Sequence, residues 1–248
     1  MNGVILAGGT GSRLFPVTRV TNKHLLPVYN KPMIYYPIEC MVNAGIDEVL
    51  LVTGGNNAGD FIRLLGNGRE FGLRSLNYTY QEGAGGIAQA LGLAEDFADG
   101  GSIMLILGDN ILEYSIKEAC KKFRHQGQGA KILLSQVENP KAYGVAEMNG
   151  EQVVKIVEKP NDPRSNWAVI GIYFYDGRVF DVVKTLKPSA RNELEITDVN
   201  NAYIARGEMT ADKVHGFWAD AGENIDFYLK ACNTVAQSGA NKEPVAGK

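Results

Sequence analysis

The segment that most constrains this chain lies near its N-terminus, where three glycines follow an apolar run. Val4–Ala7 predicts a buried first strand, and Gly8, Gly9 and Gly11 come directly after it. Glycine lets the backbone turn tightly with its N–H groups free to face an anion. The segment therefore predicts a cradle for a phosphate-bearing ligand, with a plain glycine-rich turn as the alternative. The cradle residues are Leu6, Gly8, Gly9, Thr10 and Gly11, with positive charge added by Arg13 and Lys23.

The distribution of charge supports a small anionic ligand. Residues 1–38 contain four basic residues and no acidic one, whereas the whole chain has a net charge of −3. The residues after 38 carry −7, because all 28 acidic residues but only 21 of the 25 basic ones lie there. A local basic region on an acidic protein favours a small polyphosphate over a long nucleic acid.

Two common phosphate-binding loops are excluded by their spacing. A P-loop requires Gly-Lys-Ser or Gly-Lys-Thr, but Gly11 is followed by Ser12 and Arg13. A dinucleotide-binding loop requires a third glycine, where this chain has Leu14, and an acidic residue about 20 positions later. We therefore expect neither a Walker NTPase nor an NAD-binding protein.

Composition is that of an ordinary globular protein: 248 residues, 45% of them apolar. The sequence has no signal-peptide pattern and no run of 18 apolar residues, so we expect a cytoplasmic protein with no membrane partner. Cys40, Cys120 and Cys232 are far apart and predict free, buried thiols rather than disulfides or ligands. The three histidines lack metal-ligand spacing, which argues against a zinc or histidine-based site.

Apolar runs alternate with amphipathic segments through the first half of the chain, and strands dominate the second half. This order is typical of βαβ units, with ligands at the carboxyl ends of the strands. We therefore predict an α/β, Rossmann-like fold with a mixed, mostly parallel central sheet flanked by helices. The predicted strands span residues 3–7, 48–53, 76–80, 103–107, 130–137, 144–148, 153–158 and 169–175. The predicted helices span residues 34–44, 60–65, 87–97, 116–124, 194–205 and 223–235.

Two carboxylates are placed where ligands bind in such folds. Asp109 follows the apolar strand Ile103–Leu107, and Asp220 lies in a turn between a strand and a helix. Each alone could be an ordinary loop or cap residue. Together with a polyphosphate cradle, two carboxylates from separate strand ends match the way Mg²⁺ is held, with substrate phosphates and water completing its shell.

These residues belong to a longer ordered series of motifs. Over nearly its full length the sequence resembles the glucose-1-phosphate thymidylyltransferases, members of the sugar-phosphate nucleotidyltransferases. The matching segments are Leu6–Leu14, Lys23–Pro27, Lys31–Pro37, Gly86–Ala90, Leu107–Asn110, Tyr143–Val145, Glu158–Pro160, Tyr173–Asp176, Leu186–Arg191 and Glu193–Asp198.

The resemblance implies a reaction of dTTP with α-D-glucose 1-phosphate that gives dTDP-glucose and pyrophosphate. A sugar phosphate has a second pKa near ~6, so at neutral pH it is already an anionic nucleophile and needs no protein base. The reaction needs the two anions aligned and their charge neutralised. The resemblance assigns that role to Arg13, Lys23 and Mg²⁺.

The resemblance also implies the roles of individual residues. Asp109 and Asp220 hold the metal, and Gln81 and Gly86 recognise the pyrimidine. Lys159 binds the sugar phosphate; the alternative is that it is a solvated surface lysine. Tyr173 and Tyr175 are predicted separately, as core residues of their strand. The sugar-phosphate pocket comprises Asn110, Tyr143, Gly144, Glu158, Lys159 and Val169.

The implied organisation is a single nucleotidyltransferase domain over residues 1–236. Its nucleotide-binding part spans about 1–128 and its sugar-binding part about 129–222, and the polar residues 237–248 predict a frayed tail. The resemblance implies a homotetramer built as a dimer of dimers. Longer members continue into a helical extension that helps build a second, regulatory nucleotide site, so that site is expected to be incomplete here.

The sequence departs from the family at three positions: Trp167 replaces tyrosine, Ile170 replaces threonine and Asn192 replaces glycine. The first two flank the sugar pocket and leave the identity of the hexose open. A uridylyltransferase making UDP-glucose is one alternative, because a single methyl group discriminates only about 10- to 200-fold. A non-catalytic sugar-nucleotide-binding subunit is another; such a protein could lose Arg13, Lys23, Asp109 or Asp220 freely, and the presence of all four disfavours it. A GT-A glycosyltransferase is disfavoured by the absence of an Asp-x-Asp motif at Asp109.

Overall fold

The computed structural model describes residues 1–244, with only the backbone for Asn56. The strands in this part of the chain are β1 Asn2–Ala7, β2 Pro27–Val28, β3 Lys31–Pro32, β4 Glu48–Gly54, β5 Ser75–Gln81, β6 Ile103–Leu107, β7 Asn110–Leu112, β8 Ala130–Gln136, β9 Gly144–Asn149, β10 Gln152–Glu158, β11 Trp167–Tyr175, β12 Met209–Lys213 and β13 Trp218–Asp220. The α-helices are α1 Tyr35–Asn43, α2 Ala58–Leu65, α3 Ile87–Gly92, α4 Glu95–Ala98, α5 Lys117–Gln126, α6 Val179–Thr185, α7 Ile196–Ala205 and α8 Ile225–Ser238.

Contacts along the chain divide it into two compact units. The glycine-loop unit comprises Gly3–Gly83, Ile106–Glu118 and the chain from His215 onward. The hairpin unit comprises Met1–Asn2, Ala84–Leu105 and Ala119–Val214. The predicted single domain, with parts at about 1–128 and 129–222, stays a prediction.

The glycine-loop unit is built on parallel strands. β1 pairs with β4, with Leu6 opposite Val52, and β4 pairs with β5, with Gly54 opposite Gln81. Val4 and Val49 are fully buried, as expected for strands covered on both faces. The carboxyl ends of these strands therefore carry the glycine loop and Gln81 at one edge of the unit.

A second apolar cluster in this unit anchors its C-terminal helix. Ala221 packs with Tyr36, Ile111 and Val235, all of them buried. The side chain of Asn224 accepts a hydrogen bond from the backbone N–H of Phe227 and so caps the start of α8. The packing of Ala221 and the Asn224 cap thereby hold the turn between β13 and α8 at both of its ends.

The hairpin unit contains mainly antiparallel strands. β9 and β10 form a hairpin, β11 pairs antiparallel with β8 and β9, and β12 pairs parallel with β8. Tyr173 and Tyr175 of β11 are buried, which confirms their prediction as core residues. The hydroxyl of Tyr175 donates to Oδ1 of Asn200, so its polar end is satisfied.

Most predicted elements are present, with ends that differ by at most three residues. The predicted helix 87–97 is wrong as a single helix, because it is divided into α3 and α4 between Gly92 and Glu95. The sequence analysis missed α6, β12 and the short strands β2, β3 and β7. It placed a strand before Asp220 without giving its bounds, and Asp220 is the last residue of that strand, β13, rather than part of the turn. Two- and three-residue strands are too short for any periodicity to register.

The C-terminal segment and the cysteines complete the comparison. The sequence predicts a frayed tail from residue 237, but α8 runs to Ser238, and the Asn241 amide donates to the Tyr36 carbonyl in a buried position. Residues 245–248 lie outside the described residues. None of the three cysteines forms a disulfide; Cys40 and Cys120 are buried as predicted, whereas Cys232 is only half-buried.

Candidate active site

The glycine loop leaves β1 in a shape that only glycine adopts without strain. Gly9 has φ 92° and Gly11 has φ 62°, both in the left-handed region. The hydroxyl of Thr18 donates to the carbonyl of Gly11 at 2.8 Å, and a Cβ on Gly11 would lie 2.9 Å from the Thr18 methyl group. A single 3₁₀ turn, Ser12–Leu14, follows and places Arg13 at the protein surface.

Lys23 lies beside the glycine loop and begins a second 3₁₀ turn, Lys23–Leu25. Asn22 begins this turn, and its side-chain oxygen accepts from the backbone N–H of His24 and contacts the His24 ring at Nδ1, 2.7 Å away. Burial and the charge of Lys23 lower the pKa of His24 to about 3. The ring is therefore neutral, and its contact with Asn22 helps hold the turn that carries Lys23.

Asp109 follows β6 at the end predicted from the sequence. The N–H of Gly108 donates to the carbonyl of Leu6, which holds this turn against the end of β1. Nζ of Lys23 donates to Oδ2 of Asp109 at 2.5 Å, and the Asn110 amide donates to its Oδ1 at 3.1 Å. Burial opposes ionisation of Asp109, but the charge of Lys23 together with the hydrogen bonds from Lys23 and Asn110 outweighs it and lowers the pKa of the carboxyl group.

Asp220 is brought next to Asp109 by strand pairing. In the β7–β13 pair Asp220 lies opposite Asn110, and the N–H of Ala221 donates to the carbonyl of Asp109. Burial, and then the negative charge of Asp109, raise the pKa of Asp220 to about 7. A buried carboxylate next to a half-buried one, each opposing the ionisation of the other, is a suitable place for a cation.

The backbone of Gly222 lies directly against the Lys23–Asp109 pair. A Cβ on Gly222 would lie 2.6 Å from Nζ of Lys23 and even nearer to the Asp109 carboxylate. The N–H of Gly222 also donates to Oδ1 of Asp220 at 3.0 Å. The segment Asp220–Gly222 therefore contributes both a carboxylate and the bare backbone on which the ion pair lies.

Arg13 is engaged with a carboxylate from the start of the C-terminal helix. Its guanidinium donates to Glu223 at 2.9 Å, and 57% of the arginine side chain is exposed. The predicted cations Arg13 and Lys23 and the predicted acids Asp109 and Asp220 thus all lie in the glycine-loop unit. Glu223 was not identified from the sequence.

Gln81 lies beside the glycine loop. It ends β5 and is 9% exposed, and a Cβ on Gly8 would lie 3.3 Å from its side-chain oxygen. Gly86 lies in the hairpin unit instead. Its φ is 94°, and a Cβ there would lie 2.5 Å from the carbonyl of Leu194. Gly86 is thus required by a close approach of two backbone segments.

The predicted sugar-phosphate residues are divided between the units. Asn110 lies in the glycine-loop unit, where its Oδ1 accepts from the indole N–H of Trp218 at 2.7 Å. The remaining five lie in the hairpin unit, four of them at the ends of β9 and β10. These four are Tyr143, Gly144, Glu158 and Lys159, and the fifth is Val169 in β11.

The hairpin brings Gly144 and Glu158 directly opposite each other. The N–H of Lys159 donates to the carbonyl of Tyr143 at 3.0 Å, and Lys159 itself is exposed with φ 43°. Val169 is buried. Glu158 and the exposed residue Lys159 thus follow one another in the chain at the open end of this hairpin.

Comparison with known proteins identifies the family. The sequence profile of the nucleotidyl transferases matches residues 2–238. The chain belongs to the nucleotidyl transferase family. This nucleotidyl transferase is 46% identical over 235 residues to a glucose-1-phosphate thymidylyltransferase of Neisseria meningitidis, covering 93% of this chain and 81% of the relative. It is 42% identical to the enzyme of the same name from Mycolicibacterium smegmatis, covering 95% and 82%.

Solved structures agree with this assignment. A Bacillus anthracis protein, named provisionally as a glucose-1-phosphate thymidylyltransferase and crystallised with sucrose, has a TM-score of 0.90 and 47% identity and covers 100% of this chain and 98% of its own. UDP-glucose pyrophosphorylase in complex with UDP-glucose has a TM-score of 0.84 at 25% identity, covering 95% and 98%. These likenesses confirm the predicted fold: a mixed, mostly parallel central sheet flanked by helices.

The described part of this nucleotidyl transferase has no helix long and apolar enough to cross a membrane. Over residues 1–244 there is also no cluster of three or more histidine, cysteine or acidic side chains able to hold a metal ion. A metal ion at Asp109 and Asp220 would therefore complete its coordination with ligands from substrate and water.

Several site residues were missed by the sequence analysis. Trp218 and Gly222 flank Asp220 in the sequence, and Thr197 lies in a segment that matches the family, but none was assigned a role. A glycine two residues after a candidate metal ligand was the one available signal for Gly222, because glycine permits close approach. The Trp218–Asn110 and Thr197–Glu158 contacts join positions far apart in sequence, which no local pattern predicts.

Proposed function

We propose that this chain converts dTTP and α-D-glucose 1-phosphate into dTDP-glucose and pyrophosphate. An oxygen of the sugar phosphate attacks the α-phosphorus of dTTP, and the bond between that phosphorus and the β-phosphate oxygen breaks. The observation that best supports the proposal is the group formed by Lys23, Asp109 and Asp220 beside a glycine loop. The relatives that bear the thymidylyltransferase name match over more than 90% of the chain.

The glycine-loop unit holds the triphosphate in this proposal. Backbone N–H groups of residues 8–11 face the phosphates, and Arg13 exchanges Glu223 for phosphate oxygens. Lys23 stabilises the charge that develops on the α-phosphate and the leaving pyrophosphate. No protein base is required, because the sugar phosphate is already anionic at neutral pH.

Asp109 and Asp220 would hold Mg²⁺. The donor set suits it, since buried Asp109 and half-buried Asp220 provide carboxylate oxygens from two strand ends that pair with each other's segments. When bound, the ion would neutralise part of the phosphate charge. The carboxylates themselves fix where that charge is neutralised, because strand pairing and the Gly222 N–H hold Asp220 in place.

Gln81 would recognise the base, because its amide can donate and accept at a pyrimidine edge and lies next to Gly8. Replacing Gln81 by alanine should weaken the use of dTTP and reduce its preference over purine triphosphates. An unchanged nucleotide profile in this variant would place base recognition elsewhere.

Glu158 and Lys159 would bind the glucose 1-phosphate, with the carboxylate accepting from sugar hydroxyls and the ammonium group meeting the phosphate. Gly144 leaves the space opposite Glu158 open, and Tyr143 and Val169 would line the pocket. Loss of a sugar hydroxyl would then leave the carboxylate unpaired, which is a basis for hexose selectivity.

The decisive experiment is a pyrophosphate-release assay with dTTP, UTP, ATP, CTP and GTP against several hexose 1-phosphates. The proposal expects the highest kcat/KM with dTTP and glucose 1-phosphate, loss of activity with a chelator and recovery with Mg²⁺. A preference for UTP would favour the second candidate, UDP-glucose synthesis, which the likeness to UDP-glucose pyrophosphorylase supports. Absence of turnover with every pair would favour a non-catalytic sugar-nucleotide-binding subunit.

The proposal includes assembly into a homotetramer, a dimer of dimers, as closed symmetry is usual for enzymes of this kind. Several large apolar side chains are exposed in the glycine-loop unit, among them Phe15, Val20, Tyr29 and Leu229. Light scattering on the purified protein tests the assembly, and a mass of one chain, about 27.0 kDa, would contradict it.

A further inference from the structure

The carboxylate of Glu158 is held by a hydroxyl from a distant part of the hairpin unit. Oγ1 of Thr197 donates to Oε2 of Glu158 at 2.7 Å. Glu158 ends β10, and Thr197 lies in the first turn of α7, where it is 6% exposed. In the first turn of α7 the hydroxyl has no preceding turn of its own helix to which it could donate. Here it donates instead to a carboxylate 39 residues away in sequence.

The other oxygen of Glu158 has a weaker contact. Nη2 of Arg191 lies 3.5 Å from its Oε1, but the same nitrogen donates to Glu195 at 2.7 Å. Nε of Arg191 also donates to Glu195, at 3.2 Å. The guanidinium is therefore committed mainly to Glu195, and Thr197 provides the short hydrogen bond that fixes Glu158.

Gly144 leaves room for this pair on the facing strand. A Cβ on Gly144 would lie 3.3 Å from Oε2 of Glu158 and 3.4 Å from Oγ1 of Thr197. The carboxylate and the hydroxyl thus lie together over the bare backbone of Gly144. About 30% of the Glu158 side chain remains exposed, so a ligand can reach it.

We propose that Thr197 is a positioning residue that orients the Glu158 carboxylate for the sugar and thereby sets selectivity for the sugar hydroxyls. The inference rests on the proposed binding of glucose 1-phosphate by Glu158. A glutamate has three rotatable side-chain bonds, and freezing them on binding costs affinity. A hydroxyl donor fixes Oε2 without neutralising the carboxylate, so Oε1 keeps its full strength as an acceptor.

The test compares Thr197→Val, which removes the donor at nearly equal volume, with Thr197→Ser, which retains it. We expect Thr197→Val to raise the KM for glucose 1-phosphate about 10- to 30-fold, since hydrogen bonds to charged groups are the stronger ones. The KM for dTTP should stay within about 2-fold, and Thr197→Ser should stay within about 3-fold of the parent in both. Thr185→Val is the matched control, because Thr185 donates only to its own helix, at Val182.

Selectivity among sugar analogues tests the positioning role, because a purely structural role of Thr197 would leave that selectivity unchanged. Parent and variants are assayed with glucose 1-phosphate and with its 2-deoxy, 3-deoxy, 4-deoxy and 6-deoxy analogues. Thr197→Val should reduce the discrimination against at least one analogue, and Thr197→Ser should restore it. An equal loss with every sugar and with dTTP, or no change in the sugar KM, would overturn the inference.

Glu158→Gln separates the two proposals. If Glu158→Gln leaves the sugar KM unchanged, the proposed role of Glu158 is wrong. If it raises the KM but Thr197→Val does not, only the role of Thr197 is wrong. When both are right, Thr197→Val has less than about a 3-fold further effect in the Glu158→Gln background, because the hydrogen bond that it removes no longer orients a carboxylate.

Discussion

The ammonium group of Lys23 and the carboxylate of Asp109 form an ion pair, 2.5 Å between Nζ and Oδ2, directly over the Cα of Gly222. Both side chains are largely buried, so the pair replaces water around each charge. Its position depends on the absence of a side chain at Gly222. The geometry of this pair therefore rests on three separate segments of the glycine-loop unit.

Gly222→Ala tests this dependence. A Cβ at this position would overlap Nζ of Lys23 and the Asp109 carboxylate, so the pair must shift, and a misplaced charge is costly in catalysis. We expect kcat/KM to fall at least about 10-fold. Gly59→Ala in α2 is the matched control, since a Cβ there meets nothing within 4 Å. It should retain parental activity, and equal activity of the two variants would contradict the expectation.

Arg13→Ala is expected to lower kcat by about 10² to 10³, because it removes a charge that stabilises the transition state more than the ground state. Steady-state kinetics with both substrates measures the effect. Arg19→Ala, in the same basic segment, is the control and should differ little from the parent. A rise in the KM for dTTP at unchanged kcat would assign Arg13 to binding alone.

Glu223→Gln should raise the rate at low dTTP concentration, whereas Arg13→Ala lowers it. Glu223 pairs with Arg13 in this structure and must give it up to phosphate. Because Arg13 is more than half exposed, the pair is weak, about 0.2 to 1 kcal/mol. We expect the KM for dTTP to fall about 2- to 5-fold at unchanged KM for glucose 1-phosphate. A higher KM for dTTP would show that Glu223 assists binding.

The sequence was sufficient for much of this fold and site, for identifiable reasons. β1 and β6 are predicted within one residue because both consist almost wholly of buried apolar residues between polar turns. The carboxyl ends of such strands locate Asp109 and the glycine loop without further information. Gln81 directly follows the predicted strand 76–80 and is the last residue of β5.

The features that the sequence could not predict depend on contacts between residues far apart in the chain. β7 and β13 have three residues each, and their pairing alone brings Asp220 opposite Asn110. Glu223 and Thr197 act on residues 210 and 39 positions away, and no local periodicity encodes such contacts. The short helix α6 and the strand β12 were missed because their polar and apolar residues follow no sustained period.

Asp220→Asn tests the metal proposal. The variant removes a negative charge from a pair in which each carboxylate opposes the ionisation of the other. We expect the Mg²⁺ concentration for half-maximal activity to rise at least about 10-fold and kcat to fall. Asp226→Asn, in the first turn of α8, is the control. Full activity of Asp220→Asn at ordinary Mg²⁺ would contradict a metal-binding role for Asp220.

The last prediction concerns stability in acid and the buried acidic group Asp176 of the hairpin unit. Its carboxylate accepts from the N–H of Gly129 at 2.6 Å, from the hydroxyl of Tyr203 at 2.8 Å and from the guanidinium of Arg178. Burial opposes the charge of Asp176, but these donors outweigh it and lower the pKa of the carboxyl group below its ordinary value of 3.8. A carboxyl whose pKa is lower in the folded state binds its proton more weakly there than in the unfolded chain. Its contribution to the free energy of unfolding is therefore complete above pH 3.8 and is lost as the pH falls through the folded-state value.

Asp176→Asn should destabilise the protein at pH 7 by about 1 to 3 kcal/mol, because Asn keeps one acceptor and introduces donors that face other donors. The difference between variant and parent should shrink towards pH 3. Urea unfolding at pH 7, 5, 4 and 3 measures it, with Asp181→Asn, at an exposed position of α6, as the control. A difference that stays constant over this pH range would show that the charge of Asp176 contributes nothing to stability.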